Sequence, residues 1–175
     1  ALREIKRSGE PMPIEDYNIP FGKAAKRHTG SDITVVAWGW AGWMAQSAAK
    51  TLAANRGIEA DVFDLRTLIP YDKDAVLESA RRTGRVLIAQ NDRTYAGYCR
   101  QIQGDVIDAL PGVTVRVIGQ QNTPAVGQAR TLEDATVLQD ADLYDAMDAL
   151  ADLKPNAWLD NELHWLGSAP GRRAV

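Results

Sequence analysis

The stretch that organises this chain is Val62-Phe63-Asp64-Leu65-Arg66-Thr67-Leu68-Ile69-Pro70-Tyr71-Asp72. It begins as the apolar part of a strand, continues into an Asp-x-Arg pair, and reaches a proline that ends the strand. Asp72 follows, and its carboxylate is predicted to cap the next helix. In open α/β sheets, ligands and partners are met outside the carboxyl ends of the strands, which is where these charges fall.

Strand and helix patterns alternate on both sides of this stretch. Buried strands are predicted at 33–38, 59–65, 85–90 and 113–118, with a possible short edge strand at 22–27. Helices are predicted between Gly42 and Gly57 and at 72–82, 95–110 and 140–153, and 119–130 is predicted to be a polar loop. Strands separated by helices of this length favour right-handed crossovers. We therefore predict a single α/β domain with a mainly parallel, roughly five-stranded sheet covered by helices on both faces.

The domain is predicted to occupy 23–153. Residues 1–22 are rich in proline and glycine and form a linker or amino-terminal extension. Residues 154–175 form a tail in which Trp158 and Trp165 stand among polar residues. Two interpretations stay open for this tail: it lies on its own domain, or it is an arm that docks on a neighbouring subunit.

Composition excludes several kinds of partner. The 175 residues are 45% hydrophobic and 25% charged, with a net charge of −3, so no electrostatic surface for nucleic acid or an anionic membrane is expected. No apolar run approaches the roughly 20 residues of a membrane span. The single cysteine, Cys99, cannot form an internal disulfide. A reducing, cytoplasmic location is therefore predicted.

Residues with catalytic chemistry are sparse. Gly39-x-x-Gly42 lies between a strand and a helix but matches no phosphate-binding motif, and Trp40 would obstruct a phosphate, so a tight turn is favoured. The tryptophans at 38, 40 and 43 are predicted to form a packed or interfacial cluster. His28 and His164 show no metal-ligand spacing, and Cys99 is predicted to be a buried, inert thiol. No catalytic, cofactor-binding or metal-binding residue is assigned.

Contact residues for a partner are predicted instead, mostly at the carboxyl ends of the second and third strands. Charges gathered there either meet a partner or brace the loops, and both interpretations stay open. Asp64 and Arg66 point the same way along the predicted strand, so they could brace the loop before Pro70. The candidates are Asp64, Arg66, Tyr71, Asp92, Arg93 and Tyr95, together with Trp158 and Trp165 of the tail.

Three segments match the sequence pattern of a known family. They are Glu15-Asp16-Tyr17-x-Ile19-Pro20-x-Gly22-Lys23-Ala24, Asp32-Ile33-Thr34-Val35-Val36-Ala37-Trp38-Gly39, and Asp64-Leu65-Arg66-Thr67-Leu68-x-Pro70-x-Asp72 with its sequel Glu78-Ser79-Ala80-Arg81-Arg82-Thr83-Gly84-Arg85. Together they resemble the carboxyl-terminal domain of the beta subunit of thiamine-diphosphate-dependent 2-oxo acid dehydrogenases. The similarity to the last domain of transketolases is looser. The resemblance spans about residues 13 to 118.

This resemblance implies a function in an assembly. The domain would support 2-oxo acid decarboxylation, or ketol or acyl transfer, at a site formed mainly by other domains. Other domains or subunits of the same enzyme, in a dimer or heterotetramer, are the implied partners, and an acyltransferase component is a further candidate. The family's amino-terminal pyrimidine-binding domain has no counterpart here, so we expect a piece of a larger polypeptide or assembly. The alternative is a stand-alone protein-interaction or regulatory module that has lost its catalytic neighbours.

The resemblance also implies thiamine diphosphate and magnesium in the parent assembly. The domain alone is not expected to bind them, because Gly104-Asp105-Val106 falls in a predicted helix and lacks the rest of the magnesium-binding motif. The loops after the third and fourth strands depart from the family pattern: Asn91-Asp92-Arg93-Thr94 replaces a glutamate and a glycine-rich turn, and Gln121-Asn122-Thr123-Pro124-Ala125 replaces Asp-x-Pro-x-Pro. The particular substrate is therefore not carried over.

Overall fold

A computed structural model describes residues 18–123 and 129–153, and shows one five-stranded sheet. The strands are β1 (Ala25–His28), β2 (Ile33–Ala37), β3 (Ala60–Asp64), β4 (Arg85–Arg93) and β5 (Thr114–Gln120). Their order is β1-β3-β2-β4-β5; only β1 is antiparallel to its neighbour, and all other pairs are parallel. The prediction of a mainly parallel, five-stranded sheet is confirmed.

Helices cover both faces of this sheet. They are α1 (Trp40–Arg56), α2 (Lys73–Thr83), α3 (Tyr98–Ala109), α4 (Arg130–Thr136) and α5 (Asp140–Ala151). Successive strand residues point to opposite faces, so Val35 packs with α1 and α5 while Val36 packs with α2 and α3. Both faces are therefore buried, which explains the continuous apolar run of β2. No helix in the described ranges combines the length and apolarity needed to cross a membrane.

The carboxyl ends of β2, β3, β4 and β5 meet at one edge of the sheet, which we call the carboxyl edge. Parallel register sets Val35 beside Val62 on one side and beside Leu87 on the other. Because β1 runs antiparallel, with Ala25 beside Asp64, the residues that precede β1 also lie at the carboxyl edge. Segments from five parts of the chain converge there.

Asp72 does not cap α2 with its side chain, so that prediction is wrong. Its carboxylate accepts a hydrogen bond from the backbone N–H of Ala24 at 3.1 Å and lies 3.6 Å from the Lys23 ammonium. The side chain therefore ties the segment before β1 to the start of α2. The cap was predicted from the residues that follow Asp72 in the sequence. Its actual hydrogen-bond partner, Ala24, lies 48 residues away, so no local pattern indicates it.

Some element bounds also differ from the predicted ones. β4 continues to Arg93 because it ends in a bulge, and α3 begins at Tyr98 instead of residue 95. The short helix α4 falls at the end of the predicted polar loop. None of its residues is buried, so it presents no apolar face that a sequence pattern could detect.

Candidate functional site

Large apolar side chains are exposed at the carboxyl edge. Across the described residues, seven large hydrophobic side chains are exposed, and five of them follow the ends of β2, β3 and β4 or precede β1: Ile19, Phe21, Trp40, Ile69 and Tyr95. Phe21, Ile69 and Tyr95 are each more than 80% exposed. We call these five residues the carboxyl-edge surface. An exposed apolar group of this kind on a folded domain is typical of an interaction site.

The loop after β3 holds two residues of this surface close together. The Thr67 hydroxyl accepts a hydrogen bond from the Gly22 N–H at 2.9 Å and donates one to the Pro70 carbonyl at 2.7 Å. A Cβ atom on Gly22 would lie 3.4 Å from the Pro70 ring. Phe21 and Ile69 are the chain neighbours of these two residues, so both side chains are presented from one hydrogen-bonded corner.

Tyr98 fixes this corner to the rest of the edge. Its hydroxyl donates to the Leu68 carbonyl at 2.6 Å, and its ring meets Trp38 edge-on with 6.4 Å between centroids. Burial is the main reason that the pKa of Tyr98 is raised. Tyr98 connects the end of β2, the loop after β3 and the start of α3. These contacts hold the loop that presents Ile69 against the rest of the domain.

Asp64 braces the fold, which favours the structural interpretation for this candidate. Its Oδ2 accepts from both Nε and Nη2 of Arg27, at 3.0 and 2.8 Å, and the guanidinium lies 4.6 Å from the Trp43 ring centroid. A Cβ on Gly42 would be 3.0 Å from Asp64 Oδ1, so glycine makes this approach possible. Arg66 lies beyond the end of β3 and is exposed, so it is not part of the contact between Asp64 and Arg27.

Tyr71 is also turned inward. Its hydroxyl donates to Asp105 Oδ2 at 2.9 Å, and Lys73 Nζ lies 3.1 Å from Oδ1 of the same carboxylate. Burial and the hydrogen bond to Asp105 raise the pKa of Tyr71. Burial opposes ionisation of Asp105, but hydrogen bonds from Tyr71 and Lys73 outweigh it and lower the pKa of this carboxyl. Tyr71 thus connects the loop after β3 to α3.

The first turn of α1 is closed by a neighbouring strand. Asn91, in β4, accepts a hydrogen bond on Oδ1 from the Ala41 N–H at 2.7 Å, and Gly39 adopts a φ of +60° just before the helix. A side chain therefore occupies a backbone donor that a phosphate would need. Gly39 to Gly42 forms a tight turn. The sequence marked Asn91 only as a polar residue after a strand.

The predicted tryptophan cluster divides into three separate environments. Trp38 packs on Tyr98, Trp43 lies under Arg27, and Trp40 stays exposed in the carboxyl-edge surface. Cys99 is fully buried, and burial raises the pKa of its thiol. His28 Nδ1–H donates to the Ala60 carbonyl, 2.8 Å away, which is a structural contact. His164, Trp158 and Trp165 lie outside the described residues.

A bulge at the end of β4 sets the position of three predicted candidates, namely Asp92, Arg93 and Tyr95. Gln90 is buried and holds the bulge: its Nε2 donates to the Arg93 carbonyl at 2.5 Å, and its Oε1 accepts from the Cys99 N–H at 3.2 Å. Asp92 Oδ1 accepts from the Arg93 N–H at 2.7 Å. Tyr95 is exposed beyond the bulge. The sequence did not identify Gln90 as important, because it is a single polar residue at the end of an apolar strand pattern and belongs to no motif.

The described residues do not fit a thiamine diphosphate and magnesium site. Asp105 lies inside α3 and already accepts from Tyr71 and Lys73. Within the described ranges, no group of three or more histidine, cysteine or acidic side chains is placed to hold a metal ion.

One mainly parallel sheet with helices on both faces defines an α/β domain. Residues 22–143 match the family described as "Transketolase, C-terminal domain", and the chain belongs to this family. The resemblance inferred from the sequence motifs and the predicted fold class are thus confirmed.

Several relatives are beta subunits. The chain is 35% identical over 156 residues to the 2-oxoisovalerate dehydrogenase subunit beta of Bacillus subtilis, covering 87% of this chain and 46% of that protein. It is 36% identical to the acetoin:2,6-dichlorophenolindophenol oxidoreductase subunit beta of Cupriavidus necator, covering 70% of this chain and 37% of that protein. The chain therefore spans less than half the length of these relatives.

A solved structure is similar as well. A split-gene transketolase in an inactive beta4 tetramer superposes with a TM-score of 0.69 and 28% identity, covering 79% of this chain and 45% of that chain. The similarity extends over most of the domain.

Proposed function

We propose that this chain is the carboxyl-terminal assembly domain of a thiamine-diphosphate-dependent enzyme of the 2-oxo acid dehydrogenase and transketolase group. The reaction would be 2-oxo acid decarboxylation, or ketol or acyl transfer, carried out at a site formed mainly by other domains. Thiamine diphosphate and magnesium would be held by those domains. Family membership and the similarity to beta subunits support this proposal.

The carboxyl-edge surface is the observation that carries the proposal. Phe21, Ile69 and Tyr95 leave large apolar areas in water although the domain has two well-packed cores. Burying such side chains against a partner is favourable by about 1.5–3 kcal/mol each, which is the scale of an interface hot spot. The proposed occupants are other domains or subunits of the same enzyme, in a dimer or heterotetramer. Arg66, Asp92 and Arg93 border this surface and are proposed as its polar rim.

The finer features of this assembly are part of the same proposal. An acyltransferase component is a further candidate partner, and the tail with Trp158 and Trp165 is a candidate inter-subunit arm. A cytoplasmic location is proposed because the one cysteine is a buried free thiol, which suits a reducing compartment. A stand-alone interaction module is the competing hypothesis, and it predicts a stable monomer without cofactor.

Variants of the carboxyl-edge surface test the proposal. Phe21→Ser and Ile69→Ser should each weaken association in the natively purified assembly by about tenfold or more, because each removes a buried anchor. Ile107→Ser is the matched control, since Ile107 is a large exposed apolar residue near the carboxyl end of α3, where the chain returns to the start of β5 at the opposite end of the sheet. Sedimentation velocity over a dilution series gives the dissociation constants. Equal weakening by all three variants, or by none, would contradict the proposed surface.

A further inference from the structure

Two buried nitrogen donors at the ends of β4 and β5 have no acceptor among the described residues. Arg93 and Gln120 are register partners in the parallel pairing of these strands, so their side chains leave the same face of the sheet. Arg93 Nε and Gln120 Nε2 are both buried, and neither donates a hydrogen bond to any described residue. Gln120 as a whole is 9% exposed.

Two buried donors without acceptors lower the stability of the folded protein unless a ligand accepts their hydrogen bonds. A buried donor without an acceptor costs about 1–3 kcal/mol, and more when the group is charged. Arg93 also forms no ion pair with a described residue, although Asp92 is its neighbour in the chain. The Asp92 carboxylate instead accepts from the Arg93 backbone N–H. The Arg93 Nε–H is therefore a buried donor that is available to a bound acceptor.

The surrounding backbone holds these donors in place. Gln90 fixes the bulge through the Arg93 carbonyl and the Cys99 N–H. On the β5 side, a Cβ on Gly119 would lie 2.5 Å from the Asp92 carbonyl oxygen, so the two strands are in close contact here. Bulges commonly redirect a side chain at a binding site. This bulge redirects Arg93 to the position beside Gln120.

We propose that Arg93 and Gln120 form a binding site for a small carboxylate. A carboxylate is planar and carries two acceptor oxygens, so it can take one N–H from the guanidinium and one from the amide while neutralising the charge. The site lies below the surface, because Gln120 is almost fully buried. A small carboxylate can reach it, whereas the flat surface of a partner protein cannot. Arg93 is partly exposed, and rotation of its long side chain opens the way to the buried donors. This site does not depend on the proposed assembly function.

Acetate is the probe for the test. The 175-residue chain is titrated with sodium acetate against sodium chloride at equal ionic strength, and the ¹⁵N–¹H resonance of Arg93 Nε is followed by NMR. We expect a saturable shift of that resonance and a rise in Tm that sodium chloride does not produce. Absence of a saturable shift in the wild-type protein would overturn the proposal, and this measurement needs no variant to fold.

Variants locate the effect. Arg93→Met and Gln120→Leu should each weaken acetate binding at least about tenfold, since each removes one of two donors. Arg66→Met is the matched control, because Arg66 is an exposed arginine at the same edge. An unchanged acetate affinity in both test variants would overturn the site. If inorganic phosphate binds with the same dependence on both variants and acetate does not, the carboxylate assignment is wrong. Subunit association is measured separately, so failure here leaves the assembly proposal standing.

Discussion

Gly97 shows how a single position controls the geometry of the carboxyl edge. It precedes α3 in ordinary extended backbone, so its conformation does not require glycine. The requirement is spatial: a Cβ there would overlap the Gln90 amide nitrogen and lie 2.5 Å from the Arg93 carbonyl oxygen. Gln90 cannot simply move away, because both ends of its amide are hydrogen-bonded.

Gly97→Ala should therefore destabilise the domain by about 1–3 kcal/mol, the usual cost of overpacking a tight site. Gly104→Ala is the matched control, because Gly104 lies inside α3 and an added Cβ meets nothing within 4 Å. It should stabilise the domain by about 0.5–1 kcal/mol through helix propensity. Urea unfolding of the two variants measures both values. Equal stabilities would show that the Gln90 contact carries no strain penalty.

At the scale of elements, a buried carboxylate joins three of them at the opposite end of the sheet. Asp61 of β3 is fully buried; its Oδ2 accepts from Ser79 Oγ at 2.7 Å and Arg82 Nη2 at 2.6 Å, both from α2. Lys26 of β1 lies 2.9 Å from Oδ1. Thr34 of β2 then contacts Ser79 Oγ at 2.8 Å. This network holds the edge strand β1 and helix α2 against β3.

Asp61→Leu should lower the free energy of unfolding by about 1–3 kcal/mol. The side chains of Lys26 and Arg82 are 44% and 46% exposed, so water can solvate their charges when the carboxylate is removed. The loss of stability then comes mainly from buried hydroxyl groups that lose their hydrogen-bond acceptor. Asp61→Asn keeps an acceptor for Ser79 and should cost less. Chemical denaturation monitored by circular dichroism ranks the two. A leucine variant as stable as the wild type would mean that apolar packing alone holds these elements together.

The sequence predicted the elements better than it predicted the contacts between them. β2 and β3 were located within two residues, because apolar runs and glycine stops are local signals. Asp72 and Asn91 have partners 48 and 50 residues away, and no local pattern reveals such pairs. Asp64 was correctly placed at a strand end and Tyr71 near the loop that follows it, but only the structure shows that both turn inward. Tyr95 was predicted as a contact residue and is exposed, while Phe21 and Ile69 were not singled out.

For the molecule as a whole, the two packed cores and the apolar carboxyl edge belong to one arrangement. Sheet faces are sealed by α1, α2, α3 and α5, so the domain needs no partner to bury its interior. Its exposed apolar side chains lie mainly where four parallel strands end. The proposed function uses this edge as a surface for assembly, and the chain's membership of the transketolase carboxyl-terminal family supports that proposal.

Native mass spectrometry of the protein purified from its own cells, with thiamine diphosphate assayed in the same sample, tests this account most directly. We predict a complex larger than one chain that carries the cofactor, because the proposed function places the cofactor site in neighbouring domains or subunits. Loss of association should release the cofactor from the fraction that contains this chain. A lone, stable chain without partners and without thiamine diphosphate would contradict the assembly function and favour an independent interaction module.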